Sequence, residues 1–482
     1  MLAAVLNSAA LAQVESLPPP VVHGNSLEII SNSRYSSHSG FTSSLSDTVL
    51  SNVLWAMSGA PSFGSSYREV YVATPTNVYL YDPTANVLNV HLAGDHRYSA
   101  NSAFEIGISV ERNEEAGLAV QAGLLAGDAF WSRGNGIVTS CPMAFAANYA
   151  NSNWNPDHPI NMVDVFGRMT VTGLTDSCVA ISSDSTLPKP ATDRADTFEL
   201  LVGGMRQDTA FDPAALPLSS VSQLLWAGYG VTPHMPTGKR GLTVPSAVAN
   251  YYLTQHVYVV TDTAVMRYFN RLPSGSMSSS DHRLQLVTSG DRRDSLRAAC
   301  TRLPATAPVY IILCYTDTTT AWAILETGFA GWQYAMQAEA LGLGGCLTAP
   351  LGSGERTAIR SALGLAAGEY PIIVFSTGGL VAGVVESRGD RNERLEVMRT
   401  KDGTRLKLQL AEAGTARLAI YDLAGRPVRH WGEVRLSAGV HSFEWDGSGD
   451  NGMSLPSGSY FCRLTLGRAE PTVLNARVDL TR

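Results

Sequence analysis

Apolar positions recur at helical spacing in LSNVLWAMSG, Leu50 to Gly59, and again in VSQLLWAGYG, Val221 to Gly230, so each stretch reads as an amphipathic helix. A shorter helix is expected before each, over Leu27 to Ser33 and over Phe198 to Met205. Val- and Tyr-rich runs follow as half-buried strands: REVYVAT and VYLY after the first helix pair, HVYVVT and VMRYF after the second. Next come two long, apolar helical stretches, EEAGLAVQAGLLAG and AWAILETGFAGWQYAMQAEALGLGG. Buried-looking strands, NMVDVFG and YPIIVFS, close each series. Past a charged run, short alternating strands (LKLQL, ARLAIYD, HSFEW, YFCRLTL) are separated by Gly, Asp, Asn and Pro turns, the spacing of an all-β sandwich.

The same order of elements occurs twice, and the repeat is visible in the residues. Leu17-Pro18-Pro19-Pro20 is echoed by Leu187-Pro188-Lys189-Pro190, 170 residues on, and Phe41 by Phe211 at the same offset. Trp55 and Trp226 follow at 171. An offset held over forty residues marks a duplicated unit, too long for a solenoid repeat. Helices on a mixed sheet, given twice, predict an α+β pseudo-dimer followed by an all-β sandwich. The expected boundaries are 13–184 for the first repeat, 185–384 for the second, 385–394 for a charged linker and 395–482 for the sandwich.

Composition narrows the class. The 482 residues suit several domains, and 45% hydrophobic against 16% charged residues suits a folded chain. A formal charge of −7 supplies no basic face for nucleic acid. Residues 1–12, MLAAVLNSAALA, read as the apolar core of a signal peptide with a small-x-small cleavage site at Ala10-Leu11-Ala12. A basic n-region is missing, which leaves a miscalled start or a merely greasy terminus as alternatives. No later run approaches the ~20 apolar residues of a membrane span. Six cysteines (Cys141, Cys178, Cys300, Cys314, Cys346, Cys462) form no CxxC pair, which argues against zinc and leaves disulfides open. No metal site is expected.

LPPP followed by Arg34-Tyr35-Ser36-Ser37-His38, the LLWA helix, LYDP at Leu80 to Pro83, GDHR at Gly94 to Arg97 and GDRR at Gly290 to Arg293 form an ordered set. With EAGLAVQ at Glu115 to Gln121, Pro245-Ser246 and ALGLG at Ala340 to Gly344, they resemble the nitroreductase superfamily, in its SagB-type, azoline-dehydrogenase branch. GVHSFEWDGSGDNGMSLPSGSYFCRL, Gly439 to Leu464, resembles the Ig-like domain of the flagellar hook-capping protein and the related type IX secretion sorting domains.

The first resemblance implies FMN bound where two subunits meet, each site drawing on both. A phosphate near −2 needs a cationic fork with hydroxyl or amide donors. The family's R-x-S-x-R motif maps onto Arg34, Ser36 and His38, histidine being a poorer clamp at neutral pH. The second repeat reads Met205-Arg206-Gln207-Asp208-Thr209 there, and the acid opposes an anion. Conversely, the ring-lining Pro-Ser is preceded by Lys239-Arg240 and reads Pro245-Ser246 in the second repeat, whereas the first keeps only Pro61-Ser62 in a shortened segment. Gly134 and Gly136 stand where the family's Gly-rich loop passes the ring, with a simple turn as the bland alternative, and Arg168 lies within the phosphate's expected reach or on the open surface. Trp332-Gln333 replaces the usual Gln-Asn pair of the second repeat.

These residues predict one serviceable flavin site and one degenerate one, and hence an exported FMN-dependent oxidoreductase with its substrate and electron donor unnamed. YTDTTTAWAILE, Tyr315 to Glu326, lacks the Lys-Tyr pair of azoline dehydrogenases, so peptide azoline oxidation is not supported and catalytic side chains are unknown. The competing expectation is a cofactor-free surface or binding protein that keeps the fold. Secretion machinery or the cell surface is the expected partner of the terminal sandwich.

Overall fold

A computed structural model describes residues 14–18, 20, 25–34, 36, 41, 44–130, 137–169, 187–191, 197–232, 241–246, 250–271, 281–380, 385–388, 394–400, 403–410, 413–422, 427–456, 458–467 and 472–480. The expected signal segment, 1–12, lies outside the described residues.

The first half runs β1 (Val14–Ser16), α1 (Leu27–Ser33), α2 (Asp47–Ser58), β2 (Arg68–Ala73), β3 (Asn77–Asp82), β4 (Val87–Ala93), β5 (Phe104–Val110), α3 (Asn113–Asp128), β6 (Ile137–Met143), α4 (Ala144–Asn153) and β7 (Met162–Met169). Its antiparallel sheet has the order β1-β4-β3-β2-β5-β7-β6. The second half runs α5 (Phe198–Gly204), β8 (Phe211–Asp212), α6 (Leu218–Tyr229), β9 (Val231–Thr232), β10 (Gly241–Leu242), β11 (Val257–Val260), β12 (Ala264–Phe269), β13 (Arg283–Ser289), α7 (Arg293–Ala299), β14 (Val309–Tyr315), α8 (Ala321–Ala340), β15 (Leu343–Thr348), α9 (Ser353–Leu363) and β16 (Tyr370–Leu380). Its order, β13-β12-β11-β14-β16-β15, repeats β4-β3-β2-β5-β7-β6 strand for strand.

The two halves share one core. Val53, Leu54, Leu118 and Val120 of the first half and Leu224, Leu225, Phe329 and Trp332 of the second belong to a single buried cluster. Helices α3 and α8 form its centre: every residue from Glu114 to Asp128 is buried, as is nearly all of α8. A helix apolar on all sides has no solvent face to offer and must be central. The two cross where neither has a side chain. A Cβ on Gly117 would stand 2.1 Å from the Leu325 carbonyl oxygen, and one on Gly328 would stand 2.4 Å from that of Glu114. Each sheet also has an outer face, covered by α4 over Ala73, Val78 and Val163 in the first half and by α7 and α9 over Val260, Ile312 and Val374 in the second.

The terminal sandwich comprises β17 (Val385–Arg388), β18 (Arg394–Thr400), β19 (Gly403–Leu410), β20 (Gly414–Tyr421), β21 (Pro427–Leu436), β22 (Gly439–Trp445), β23 (Gly458–Gly467) and β24 (Thr472–Leu480). Its sheets, β17-β18-β19-β22 and β21-β20-β23-β24, enclose a core of their own around Leu406, Leu408, Ile420, Trp445, Cys462 and Leu464. The linker expected over 385–394 is corrected here: Val385–Arg388 pairs with β18 and opens the first of these sheets. A charge-rich run can do this because the ladder uses main-chain donors and acceptors.

Candidate functional site

Arg34 ends α1 and reaches into the second half. Its Nε and Nη2 donate to the Leu242 carbonyl at 3.3 and 3.0 Å, Nη2 donates to the Val244 carbonyl at 3.2 Å, and Nη1 to the Ser36 hydroxyl at 2.7 Å. One guanidinium thus brings Ser36 of the first half to the segment leading into Pro245 and Ser246 of the second. The same segment is gripped from both central helices, since Gln121 and Gln333 each donate to the Thr243 carbonyl, at 3.4 and 3.1 Å. Gln333 also bonds Ser31 of α1. At this pole, Arg34, Ser36, Pro245 and Ser246 are therefore neighbours contributed by both halves.

Burial lowers the Arg34 pKa, opposed by Tyr251, Asp128, Cys141 and Asp164 around it. Burial likewise raises the Asp128 carboxyl well above its usual range, with Arg34 pulling the other way. It pushes the Cys141 thiol up to about 12, helped by Asp164. These are the features of an internal charge cluster, neutralised within the fold.

The mirror pole is built differently. Met205 caps α5 where Arg34 caps α1. Arg206 Nε pairs with Asp208 at 2.9 Å, and Asp208 also accepts the Gly345 amide at 3.0 Å. The acid is thus spent on fastening the chain to β15.

The Pro-Ser turns are anchored alike in both halves. Glu115, in the first turn of α3, accepts the Ser62 hydroxyl at 3.1 Å and the Phe63 and Ser65 amides at 2.6 and 3.2 Å. Glu326, its counterpart on α8, bonds the Tyr229 hydroxyl and accepts the Leu253 amide at 3.2 Å. Burial raises the Glu326 pKa to about 7, while the Ser246 and Tyr229 hydroxyls act to lower it. Ser246 in turn accepts the Tyr251 amide at 2.6 Å. The turns these acids hold are a tertiary feature.

Other expected residues sort as follows. Arg168 lies near the end of β7, exposed. His38, Gly134, Gly136, Lys239 and Arg240 lie outside the described residues. GDHR and GDRR are self-contained turns, each closed by its own pair, Arg97–Asp95 and Arg293–Asp291, both at 2.7 Å. Among the described residues no cluster of His, Cys, Asp or Glu could hold a metal, and Cys141, Cys300, Cys314, Cys346 and Cys462 are buried thiols.

Fit to a flavin divides. The pole gathers both halves, as an interface cofactor requires. Arg34, however, is only 6% exposed, donates to two carbonyls and a hydroxyl, and has Asp128 and Asp164 beside it. It does not fit as a ligand for an anionic phosphate.

Comparison with known proteins agrees with the architecture. A nitroreductase-like protein from Anabaena variabilis shares 11% identity over 78% of this chain and 93% of its own, with a TM-score of 0.52. Coverage of that extent requires both halves, since neither alone spans half of the chain. A second, from Ralstonia eutropha, shares 22% identity over 44% of this chain and 98% of its own at a TM-score of 0.34. A nitroreductase with bound FMN from Bacteroides fragilis shares 15% over 40% and 92%, at 0.28. No curated protein matches the sequence. No described helix is long and apolar enough to cross a membrane. Residues 207–379 match the Nitroreductase family and residues 396–469 the FlgD Ig-like domain, so the chain carries a nitroreductase-family domain within a nitroreductase-like fold and ends in a FlgD Ig-like domain.

Proposed function

We propose that the chain is an exported FMN-dependent oxidoreductase of nitroreductase type, with one flavin site at the pole where Arg34 and Ser36 meet Leu242 to Ser246. One observation carries this reading: the Arg34 guanidinium bonds both Ser36 of the first half and the Leu242 and Val244 carbonyls of the second, whereas the mirror pole offers Met205 and a closed Arg206–Asp208 pair. The family match of the second half supports the same chemistry, in which a bound flavin supplies the hydride step. In this reading Arg34 is a positioning residue that holds the second half's segment against Ser36. Ser36, with the expected residues His38, Lys239 and Arg240, meets the phosphate. The terminal sandwich serves secretion or surface retention. Two repeats of 13–184 and 185–384 are the folding units.

A second reading, a cofactor-free surface or binding protein, is favoured by the commitment of Arg34 to carbonyls and by the buried acids at its side. Purified full-length protein decides between them. Flavin absorbance near ~450 nm, and titration to one FMN per chain that Ser246→Ala weakens, is the expected result. Two equal sites overturn the single-site proposal. Absence of binding in folded protein assigns the chain to the second reading.

A further inference from the structure

The doubled fold provides an internal control at the acids near the start of α3 and α8. Glu115 and Glu326 are both buried, and each holds the chain that follows a Pro-Ser pair. They differ in what offsets their charge. Arg68, half-buried at the start of β2, lies within electrostatic reach of Glu115 and donates to the Ala60 carbonyl at 2.7 Å. Tyr71 and Tyr258 occupy the same place in the two sheets, paired with Gly107 and Ile312. Three residues before them, Arg68 of the first half is therefore replaced by Gln255 in the second.

Glu326 is left with neutral partners. Oε1 accepts the Tyr229 hydroxyl and, at 3.2 Å, the Leu253 amide, and the Ser246 hydroxyl and Tyr252 amide also act on the carboxyl. Oε2 is buried with no hydrogen-bond partner among the described residues. The charged and titratable groups around it are engaged elsewhere. Arg271, just past the end of β12, lies over the Tyr251 ring at 4.6 Å and acts on Tyr251 and Tyr229. His256, just before β11, is bound to Glu369. Across the helix crossing, Glu114 is acted on by Arg356 and Arg112, and Glu115 holds its own turn. A carboxylate at position 326 is thus buried without a counter-ion, the costly case.

The chain that Glu326 holds is strained. Tyr251 and Gln255 both have left-handed backbones, φ 51 and 65, which L side chains rarely adopt, whereas the first half's turn uses Gly64, φ 83. The Tyr251 amide donates to Ser246 Oγ at 2.6 Å, and the Leu253 amide to the Tyr229 hydroxyl at 3.0 Å and to Glu326. We infer that Glu326 is a proton-operated latch on this pole: while protonated it keeps Tyr251 to Leu253 fastened beside Ser246, and its ionisation releases them. Burial raises its pKa from 4.5 to about 7, so a released form, with the carboxyl in water, ionises first. Release therefore becomes easier as pH rises from about 4.5 to about 7, and the pole is set in acid.

This inference goes beyond the flavin reading and does not rest on it. Hydrogen exchange of the full-length protein at about pH 5 and about pH 7, read by mass spectrometry with labelling times corrected for intrinsic exchange, tests it. Peptides covering 250–256 should lose protection by at least about tenfold between the two, and Glu326→Gln should abolish that difference. Glu115→Gln should leave it as in the wild type. Tyr229→Phe, a milder variant that removes a donor from the carboxylate, should extend the loss to higher pH. Equal protection at both pH values in the wild type, or a difference that persists in Glu326→Gln, overturns the latch.

Discussion

Glu69 and His158 form a pair in the first half, carboxylate Oε1 to ring Nδ1 at 2.9 Å, and the second half contains the same pair with its members exchanged. There the ring belongs to His256, preceding Tyr258 as Glu69 precedes Tyr71, and its Nδ1 lies 2.9 and 3.0 Å from the oxygens of Glu369. The contact joins the start of the β2 or β11 strand to the approach to the closing strand. Its chemistry is kept while its polarity along the chain is reversed, which is what a requirement on the contact, rather than on either residue, produces.

A double-mutant cycle at the second pair follows. His256→Glu and Glu369→His should each lose about 1 kcal/mol, since each leaves like groups facing one another. The double exchange recreates the first half's order and should recover most of the loss. Urea unfolding of the three variants measures it. Additive losses would mean that the two side chains do not act as a pair.

The crossing of α3 and α8 predicts a steric effect. Gly117→Ala or Gly328→Ala places a methyl group within 2.1 or 2.4 Å of a carbonyl oxygen, forcing the helices apart at about 1–3 kcal/mol or more. Gly203→Ala, with nothing within 4 Å of its added Cβ, should be neutral or slightly stabilising. Thermal unfolding of the three variants separates contact from helix propensity.

Arg34 gives a contrast between the poles. Arg34→Met leaves the Leu242 and Val244 carbonyls short of donors and the acids beside it uncompensated, a loss of about 3–5 kcal/mol. Arg206→Ala, which opens a partly exposed pair with Asp208, should lose about 1 kcal/mol or less. Comparable denaturant midpoints for the two would show that Arg34 does not hold the halves together.

Two buried groups titrate with opposite signs. His282 lies between the Ser222 hydroxyl at 2.7 Å and the Tyr268 hydroxyl at 2.9 Å, and burial lowers its pKa to about 4. Ser222 spends its proton on the Pro188 carbonyl, so the ring donates from Nε2 and accepts at Nδ1, the neutral form. The unfolded chain therefore binds more protons here between about pH 4 and 6.5, and this contribution fades as pH falls through that window. Glu326, raised to about 7, behaves in reverse: its contribution is full below about pH 4.5 and is lost as pH rises to 7. Each amounts to at most about 3 kcal/mol. Between pH 4.5 and 6.5, Glu326→Gln should make stability rise more steeply with pH. His282→Asn, which copies Asn86 of the first half, should make it fall. Unchanged slopes would show that neither group is held as described.

Much of the architecture was legible in the residues. Helical spacing located α2 and α6, and the long apolar stretches EEAGLAVQAGLLAG and its counterpart located α3 and α8. Turn residues between alternating strands outlined the sandwich. The repeat could be traced only while its phase held. Trp55 and Trp226 stand 171 apart, but Tyr71 and Tyr258 stand 187 apart and Gly117 and Gly328 stand 211 apart. Insertions between elements erase a fixed offset, whereas sheet order and strand register survive them.

The site divides along the same line. The residue types at 34–38 and 245–246 were readable, and so was the acid that spoils the mirror position. What tertiary structure alone decided is where their hydrogen bonds go. Arg34 is a phosphate clamp or an internal staple according to whether its fork meets solvent or the Leu242 and Val244 carbonyls, which lie more than 200 residues away. Sequence specifies the donors an arginine carries; long-range packing sets the acceptors it meets and the dielectric in which it meets them.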